Sequence, residues 1–322
     1  MGPREVLFLL TSRSFFVYIN KKETGFFYFK MAKLNENNLK LAIQKEGRLT
    51  DETLSFLQKS GIEFESYKQR LFSVGRNFPL EILFVRDDDI PGYVSSGVAD
   101  LGILGLNVVY EEKPDVQILL NMGYGFCYLT VGVPKESKFE TVYDLKNKTI
   151  ATSYPKATQE FFDKMEVPIK LIKINGSVEL APTLGVAQAI ADLTSTGSTM
   201  ALNDLRPLTK IYDSQAVLIG NNDSLRTKER KKLIDRLIMR FKGVLAAKNY
   251  KYIMMNAPEK ILPKLKETVP GLKSPTVAPL AEKGWISVQT VIREDVFWET
   301  IEKLKELGAS GILVLPIEKI IL

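Results

Sequence analysis

Short apolar runs alternate with amphipathic segments along most of the chain, and this alternation is the strongest constraint on its fold. Typical runs are LKLAI at 39–43, EILFV at 81–85 and DLGILG at 100–105. Strands that alternate with helices are typical of α/β domains. The sequence therefore predicts an α/β fold, and 322 residues are enough for two or three domains.

Two αβ sets follow one another, separated by a lysine-rich connection at 135–148. The strand AVLIG at 216–220 comes after the second set and closes this region. We therefore expect two lobes, with the chain crossing between them twice. Lobe I is assigned to residues 35–138 and 211–224, and lobe II to residues 139–210.

Residues 225–322 have a different rhythm. A long helix, RKKLIDRLIMRFKGVLAAK, precedes a β-α-β-α-β pattern with a possible extra strand at PTVAPL. This order is close to the split βαβ arrangement of small regulatory domains. The helical stripe of Phe297, Ile301 and Leu304 is expected to be core.

Composition limits the chemistry that the chain can use. It contains no histidine, which excludes Ser-His-Asp and Cys-His catalysis and imidazole-ligated metals. The one cysteine, Cys127, lies in the apolar stretch YGFCYLTVGV, so we expect a buried structural thiol. A lone cysteine cannot form an intrachain disulfide, which fits a reducing cytoplasm.

The net charge of +6 does not indicate a nucleic-acid partner, because it is unevenly placed. Residues 1–30 contain five basic and two acidic residues, so about half of the excess lies there. That segment has no small-residue cleavage site and no apolar run long enough to span a bilayer, which argues against a signal peptide or membrane anchor. We expect residues 1–34 to be a disordered extension and the working protein to begin near Met31.

The stretch DLTSTGST at 192–199 places a carboxylate and then small hydroxyl residues after the apolar run VAQAIA. Such a segment presents N–H groups and hydroxyls to an anion. The alternative is an ordinary Ser/Thr/Gly turn, and eight residues leave that choice open. Glu179 lies thirteen residues before Asp192. Two carboxylates beside an anion loop indicate a ligand that also presents hydroxyls, such as a ribose.

In this context NGSVELAPTLGVAQAIADLTSTGSTMALNDLR resembles the phosphoribosyl pyrophosphate site of ATP phosphoribosyltransferases, which catalyse the first step of histidine biosynthesis. The similarity continues through LAIQKEGRL, RDDDIPG, GVADLGILG, IATSYP, KYIMMNAP, SPTVAPL and FWETIEKLKELGASGILVLPIEKI. It spans Leu39 to Leu322. It implies a two-lobed, periplasmic-binding-protein-like catalytic core and, as in the long form of the family, a C-terminal ferredoxin-like regulatory domain.

The resemblance also implies roles for particular residues. The 5′-phosphate of phosphoribosyl pyrophosphate would be bound by Ser195, Thr196, Gly197, Ser198 and Thr199. Its ribose hydroxyls would be held by Glu179 and Asp192. The pyrophosphate and the ATP phosphates would face Lys45, Arg48 and Arg86. Histidine, as a feedback inhibitor, would contact Asn256, Leu272, Thr276, Val291 and Gly311.

Two details of the pattern qualify these roles. Position 191 is alanine, so one acid, and not two as in other phosphoribosyltransferases, directly precedes the loop, which gives Glu179 more weight. The aspartates Asp87 to Asp89 are either cleft residues or turn formers before Ile90, and we favour the turn.

The implied reaction is attack of an adenine ring nitrogen of ATP on the anomeric carbon of phosphoribosyl pyrophosphate, with inversion. Its transition state would resemble an oxocarbenium ion. It needs no covalent intermediate, and no side chain is assigned as a nucleophile or as an acid or base. Mg²⁺ would be held mostly by pyrophosphate oxygens and water, so no ligand set is assigned. The resemblance further implies a homo-oligomer, a dimer or a hexamer.

Two alternatives remain at this point. A two-lobed protein with a cleft can also be a small-molecule binding protein without catalysis. A non-catalytic regulatory subunit built on an enzyme scaffold is the second, and the intact DLTSTGST loop argues against it.

Overall fold

The structure is a computed structural model that describes residues 16–21, 27–32, 35, 37–65, 71–195, 197–269 and 271–321. Within these ranges the strands form one hairpin and three larger sheets of six, five and four strands. The larger sheets carry helices between their strands, which confirms the predicted α/β class. Over the same ranges, no helix combines the length and the apolar character needed to cross a membrane.

The N-terminal segment contains an antiparallel hairpin of β1 (Phe16–Lys21) and β2 (Phe27–Ala32). The expectation of a disordered extension is therefore wrong for these two strands, and the rest of 1–34 lies outside the described residues. Met31, the predicted start of the working protein, lies within β2 and pairs with Val17. Backbone pairing between the two neighbouring strands builds the hairpin.

Lobe I is built on a mixed sheet in the order β4-β5-β3-β6-β13-β7. Its central strands β3, β5 and β6 are parallel. The elements up to the first crossing are β3 (Leu39–Gln44), α1 (Thr50–Lys59), β4 (Phe72–Val74), β5 (Leu80–Val85), α2 (Ile90–Ser95), β6 (Leu101–Gly105), α3 (Leu106–Glu112) and β7 (Gln117–Asn121).

Lobe II is built on a five-stranded sheet in the order β10-β9-β11-β8-β12. The strands β9, β10 and β11 are parallel, and β8 runs antiparallel to both β11 and β12. The elements are β8 (Cys127–Pro134), β9 (Thr149–Thr152), α4 (Pro155–Lys164), β10 (Lys170–Lys173), β11 (Ala189–Thr194), α5 (Ser198–Leu202) and β12 (Leu205–Ser214). The chain then returns to lobe I through β13 (Ala216–Gly220).

The predicted lobe boundaries need two corrections. The strand Cys127–Pro134, assigned to lobe I, pairs with β11 and β12 and belongs to lobe II. The last residues of β12, up to Ser214, were also assigned to lobe I and pair with β8. The crossings therefore lie at 122–126 and at Gln215, because sheet pairing and not the lysine-rich connection defines each lobe.

The predicted regulatory domain also begins later than residue 225. After α6 (Asn222–Arg226), helix α7 (Lys228–Ala247) buries Ile234, Leu237, Phe241 and Val244 in the same core as the strands of lobe I. Leu237 and Phe241 are fully buried in this core, and Leu233 and Ile238 pack at its edge. Helix α7 thus belongs to lobe I and leads directly into the C-terminal domain.

The C-terminal domain has a four-stranded antiparallel sheet in the order β15-β16-β14-β17. Two helices pack on one face with Ile253, Met255 and Val288, and the stripe of Phe297, Ile301 and Leu304 joins this core. The elements are β14 (Tyr250–Pro258), α8 (Leu262–Thr268), β15 (Thr276–Pro279), β16 (Trp285–Arg293), α9 (Phe297–Glu306) and β17 (Ser310–Pro316). This βαββαβ order and sheet arrangement are ferredoxin-like, as predicted.

Candidate active site between the two lobes

The carboxyl ends of the parallel strands define one edge of each lobe. In lobe I, β3 and β5 end side by side, and the N–H of Lys45 donates to the carbonyl of Val85 at 2.8 Å. Lys45 and Arg86 therefore leave neighbouring strand ends. In lobe II, β9 and β11 end at Thr152 and Thr194. Ligands of α/β sheets bind at such edges, outside the carboxyl ends of the strands.

Side-chain contacts join lobe I to lobe II at these edges. The guanidinium of Arg48 donates to Sγ of Cys127 at 3.1 Å, and the amide of Asn107 donates to the hydroxyl of Tyr154 at 3.3 Å. Cys127 is 5% exposed, so the prediction of a buried thiol is confirmed. Because both contacts cross between the lobes, the cleft is bounded by these edges.

The DLTSTGST segment does not begin where the strand ends. Strand β11 continues to Thr194, so Asp192 lies within it and pairs with Thr130 of β8. The hydroxyl of Thr194 accepts the N–H of Gly197 at 2.8 Å, which closes a tight turn before α5. Gly197 has φ of 77°, and apart from its two chain neighbours no residue has a heavy atom within 4 Å of the position that its Cβ would occupy.

The hydroxyl residues of this turn face outward. Ser195, Ser198 and Thr199 are exposed, and Thr196 lies outside the described residues. Helix α5 begins at Ser198 with no side-chain cap. The turn therefore offers hydroxyls and a backbone open to close approach.

The two predicted carboxylates interact with each other. Burial raises the pKa of Asp192 to about 6, the N–H of Leu193 opposes this rise, and the charge of Glu179 adds to it. Glu179 is half-buried in the turn Val178–Leu180. The structure thus brings Glu179 and Asp192 together on lobe II.

The basic residues lie on lobe I. Lys45 is half-buried, whereas Arg48 and Arg86 are exposed. The loop between β3 and α1 folds over the side chain of Gln44, whose Oε1 accepts the N–H of Leu49 at 3.2 Å. This loop carries Arg48 to Cys127.

The three aspartates after Arg86 form a 3₁₀ turn that leads into α2, as favoured from sequence. Burial raises the pKa of Asp88, with further increases from Asp87 and Asp89, while Lys173 of lobe II lowers it. The turn interpretation of the RDDDIPG motif is therefore confirmed, and a role of these aspartates in the cleft stays a prediction.

Sequence reasoning missed three residues of the cleft: Asn107, Tyr154 and Lys173. Burial raises the pKa of the Tyr154 phenol, and the charge of Asp192 raises it further. Tyr154 follows β9, and Lys173 ends β10, both of which are parallel to β11. Their position at strand ends was a usable signal. Asn107 gave no such signal in the sequence, because its contacts depend on which lobe faces α3.

A resident metal is not indicated by a dedicated ligand set. Across the described part of the chain, no group of three or more Cys, Asp and Glu side chains is arranged to hold an ion.

The predicted histidine contacts fall into two groups on the C-terminal sheet. Asn256 and Gly311 are adjacent, since a Cβ on Gly311 would lie 3.6 Å from Nδ2 of Asn256. Thr276 pairs with Gln289 at the opposite edge, and Leu272, 51% exposed, precedes β15. Val291 lies on β16 between the edges. Strands β15 and β17 are three spacings apart, about 14 Å.

Two α/β lobes joined by two crossings, with strand ends and charged residues facing one cleft, define a two-lobed protein of the periplasmic-binding-protein-like class. The ferredoxin-like domain is an addition to this class.

Comparison with known proteins identifies the family. Residues 86–243 match the family model described as ATP phosphoribosyltransferase, and residues 247–319 match the model of the HisG C-terminal domain. The chain belongs to the ATP phosphoribosyltransferase family, in its long form, and is an enzyme of that family.

Relatives match over nearly their whole length. ATP phosphoribosyltransferase of Cytophaga hutchinsonii is 46% identical over 283 residues, which cover 88% of this chain and 98% of that protein. The enzyme of Phocaeicola vulgatus is 45% identical over 284 residues, 88% of this chain and all of that protein. A solved ATP phosphoribosyl transferase (HisG:HisZ) complex from Thermotoga maritima contains a chain 30% identical, with a TM-score of 0.55, covering 63% of this chain and 98% of that one.

Proposed function

We propose that the cleft transfers the phosphoribosyl group of phosphoribosyl pyrophosphate to the adenine ring of ATP, releasing pyrophosphate, as the first step of histidine biosynthesis. The observation that carries this proposal is that an edge of lobe I carrying Lys45, Arg48 and Arg86 faces an edge of lobe II that carries carboxylates and exposed hydroxyls. The membership of the family supports it independently. A binding protein without catalysis is not favoured by that membership.

The loop after β11 is proposed to bind the 5′-phosphate through Ser195, Thr196, Gly197, Ser198 and Thr199. Exposed hydroxyls at three of these positions and the open space at Gly197 support this role. A phosphate approaching the backbone at Gly197 would meet no side chain from outside the loop there.

Glu179 and Asp192 are proposed to accept hydrogen bonds from the ribose hydroxyls. Their mutual repulsion supports this role, because two adjacent carboxylates are stabilised by hydroxyl donors and not by a further anion. Lys45, Arg48 and Arg86 on the facing lobe are proposed to neutralise the pyrophosphate and the ATP phosphates.

In the proposed reaction a bond forms between an adenine ring nitrogen and the anomeric carbon. The bond from that carbon to pyrophosphate breaks, and pyrophosphate leaves with the electron pair. The chain's contribution is to align two polyanions and to stabilise the charge of the leaving group. No side chain is assigned as nucleophile.

Mg²⁺ fits this cleft as a substrate-borne ion. It prefers oxygen ligands, keeps several waters and is commonly held by one or two carboxylates together with substrate phosphates. Asp192 and Glu179 are the carboxylates that would hold the ion. Lys45, Arg48 and Arg86 would bind only some of the pyrophosphate oxygens, and the others would bind the ion. When bound, Mg²⁺ would neutralise charge on the departing pyrophosphate.

The direct test is to mix the chain with ATP, Mg²⁺ and phosphoribosyl pyrophosphate and to measure pyrophosphate and phosphoribosyl-ATP. Formation of both, dependent on both substrates, is expected. Tight binding of one substrate with no pyrophosphate release would instead identify a binding protein.

The C-terminal domain is proposed to bind histidine as an inhibitor, through Asn256, Leu272, Thr276, Val291 and Gly311. Strand β15, which carries Thr276, and strand β17, which carries Gly311, are about 14 Å apart. One histidine therefore cannot contact both residues within one chain. If all five residues contact histidine, two copies contribute to each site. We therefore propose a homo-oligomer, a dimer or a hexamer, acting in the cytoplasm.

A further inference from the structure

Helix α3 turns one face toward lobe II. Asn107, Tyr110 and Glu111 are spaced at i, i+3 and i+4, so they share that face. Asn107 and Glu111 are 5% and 7% exposed. The ring of Tyr110 packs edge-on against Tyr212 of β12, with centroids 4.9 Å apart. This face, which we call the α3 contact, lies outside the groups assigned to substrates.

Glu111 caps a helix of the other lobe. Its two carboxylate oxygens accept the N–H groups of Lys156 and Ala157, each at 3.0 Å. Helix α4 begins at Pro155, which has no N–H, and Tyr154 provides no side-chain cap. The carbonyl of Tyr154 accepts the N–H of Thr158. The first turn of α4 therefore depends on a carboxylate from lobe I.

Asn107 joins the same contact to the second crossing between the lobes. Its backbone N–H donates to the hydroxyl of Ser214 at 3.0 Å, and its Oδ1 accepts from that hydroxyl at 3.1 Å. Its amide donates to Tyr154, the residue before α4. Gly105 leaves room for this side chain, since a Cβ there would lie 2.2 Å from Oδ1 of Asn107.

We propose that Glu111 and Asn107 are positioning residues that fix the angle between the lobes and so hold Tyr154 and the carboxylate pair of lobe II opposite the basic edge of lobe I. The inference rests on the proposed function for its kinetic consequence only. Neither residue needs to touch a substrate. Each satisfies backbone or side-chain groups of lobe II that would lose their partner if the lobes rotated apart.

The burial of the Glu111 carboxylate explains why this contact opposes rotation of the lobes. A carboxylate as buried as Glu111 is stable only with strong hydrogen bonds, and the two N–H groups supply them. Rotation of the lobes would leave both the carboxylate and the start of α4 without those partners. Because the proposed substrate groups are divided between the lobes, a small error in this angle is expected to slow the reaction strongly.

Tyr212 lies in the α3 contact, but its hydroxyl does not help to hold the two lobes together. Its hydroxyl is buried without a hydrogen-bond partner among the described residues, although Glu111 and Tyr154 lie close enough to raise its pKa after burial. Tyr212→Phe keeps the ring contact with Tyr110 and removes only this hydroxyl. It is therefore a control for changes inside the contact.

The main test is Glu111→Gln beside Glu112→Gln. Glu112 is the next residue on α3, and its carboxylate is half-exposed and 3.6 Å from Nζ of Lys156. Glu111→Gln keeps one acceptor oxygen but presents an NH₂ group to the second N–H. We expect kcat to fall about 10- to 100-fold with a folded chain, whereas Glu112→Gln and Tyr212→Phe stay within a few-fold of the parent.

A second measurement separates positioning from simple destabilisation and does not need activity. Amide hydrogen exchange of Lys156 and Ala157 is expected to accelerate at least tenfold in Glu111→Gln, and small-angle scattering should give a larger radius of gyration. Unchanged exchange and scattering would overturn the inference even in an inactive protein. Loss of the reaction in the parent chain would instead count against the proposed function.

Asn107→Ala covers the case in which Glu111→Gln does not fold. It removes the amide contact to Tyr154 and the Oδ1 contact to the Ser214 hydroxyl, and it leaves the backbone N–H contact to Ser214 and the α4 cap in place. A fall in kcat with unchanged thermal stability supports the positioning role. Parent kcat and KM for both substrates in a folded Asn107→Ala chain, or an equal loss in Glu112→Gln, would show the inference to be wrong.

Discussion

Asp192 is a half-buried acid whose carboxyl pKa is raised to about 6, first by burial and then by Glu179. If it accepts hydrogen bonds from ribose hydroxyls, it must be ionised. We predict that KM for phosphoribosyl pyrophosphate falls as pH rises through about 6 and then levels off. Phosphate groups also titrate near this pH. The comparison that isolates Asp192 is therefore the same profile for Asp192→Asn, which should lack this component.

The raised pKa of Asp192 also predicts that the stability of the folded chain depends on pH. The folded pKa of about 6 lies above the ordinary 3.8, so protonation of Asp192 favours folding. This contribution is complete below about pH 4 and is lost as pH rises through about 6. Thermal unfolding of Asp192→Asn should therefore match the parent at low pH and exceed it at pH 8. An unchanged difference across this range would contradict the assignment.

Asp192→Asn is also expected to weaken phosphoribosyl pyrophosphate binding by about 1.5 to 3 kcal/mol, the scale of hydrogen bonds to charged groups. Titration calorimetry with phosphoribosyl pyrophosphate measures this directly. ATP binding serves as the internal control, because the proposed ATP-facing groups lie on lobe I. Equal affinities in both proteins would remove Asp192 from the site.

Gly197 tests the proposed phosphate loop. A φ of 77° disfavours any side chain, while the surrounding space is open. Gly197→Val should therefore fold, with activity nearly lost because the branched side chain enters the space proposed for the phosphate. The matched control is Gly176→Val, another open glycine with φ of 82°. Activity of the parent level in a folded Gly197→Val chain would return the loop to an ordinary turn.

At the residue scale, sequence could predict the groups that share one short motif. Asp192 and the hydroxyls after it occur within eight residues, so their proximity is local. Asn107 and Tyr154 are 47 positions apart and meet only because two lobes face each other. Such a contact leaves no periodic or local signal.

At the scale of elements, strands with continuous apolar runs were predicted well, and β12 was not. The sequence LRPLTKIYDS mixes buried and exposed positions without regular alternation, because register shifts interrupt its pairing with β8. It is also an edge strand, which can carry Pro207 and charged residues. Its assignment depends on β8, a partner more than 70 residues away.

The packing of α2 on β6 gives a prediction at this scale. A Cβ on Gly102 would lie 2.7 Å from Cγ2 of Ile90 and 2.9 Å from Cγ2 of Val94, both of which are fully buried. Gly102→Ala should therefore destabilise the chain by about 1–3 kcal/mol. Outside its chain neighbours and its own helix backbone, Gly92→Ala in α2 meets no atom within 4 Å, so it should instead be neutral or stabilising by up to about 1 kcal/mol. Chemical denaturation of both variants measures the difference, and equal stabilities would contradict this packing.

At the scale of the whole molecule, α7 determines where the chain can be divided. Its residues Ile234, Leu237, Phe241 and Val244 complete the core of lobe I. Removing residues 225–322 would delete these four buried apolar side chains. Each of the larger ones contributes about 2–5 kcal/mol, so their sum approaches a typical total free energy of unfolding of about 5–15 kcal/mol. We predict that a chain ending at 224 does not fold, whereas one ending at 248 does.

The same comparison tests the boundary of the C-terminal domain. The chain ending at 248 loses the contact in which the N–H of Ile320 donates to the carbonyl of Gly243 at 3.0 Å, so some loss of stability is expected. A cooperative thermal transition in that chain, with none in the shorter one, is the expected result. Equal folding of both would show that α7 does not belong to lobe I.

Regulation is the property that most depends on the whole assembly, and Thr276 is the residue that best tests it. It lies on the edge strand β15, is exposed, and is proposed to contact histidine from a position about 14 Å away from the strand of Gly311. Thr276→Ala should reduce histidine inhibition about tenfold while leaving uninhibited turnover within a few-fold of the parent, because the substituted group lies on the C-terminal sheet and not on the lobes that carry the proposed substrate groups. Thr268→Ala is the matched control, since this half-buried threonine lies on α8 and not on strand β15. If histidine favours a less active arrangement, its binding and that of the substrates must oppose each other by the same factor at equilibrium. Calorimetric titration of histidine with and without phosphoribosyl pyrophosphate measures that factor, and a histidine response that Thr276→Ala and Thr268→Ala change equally would refute the assignment.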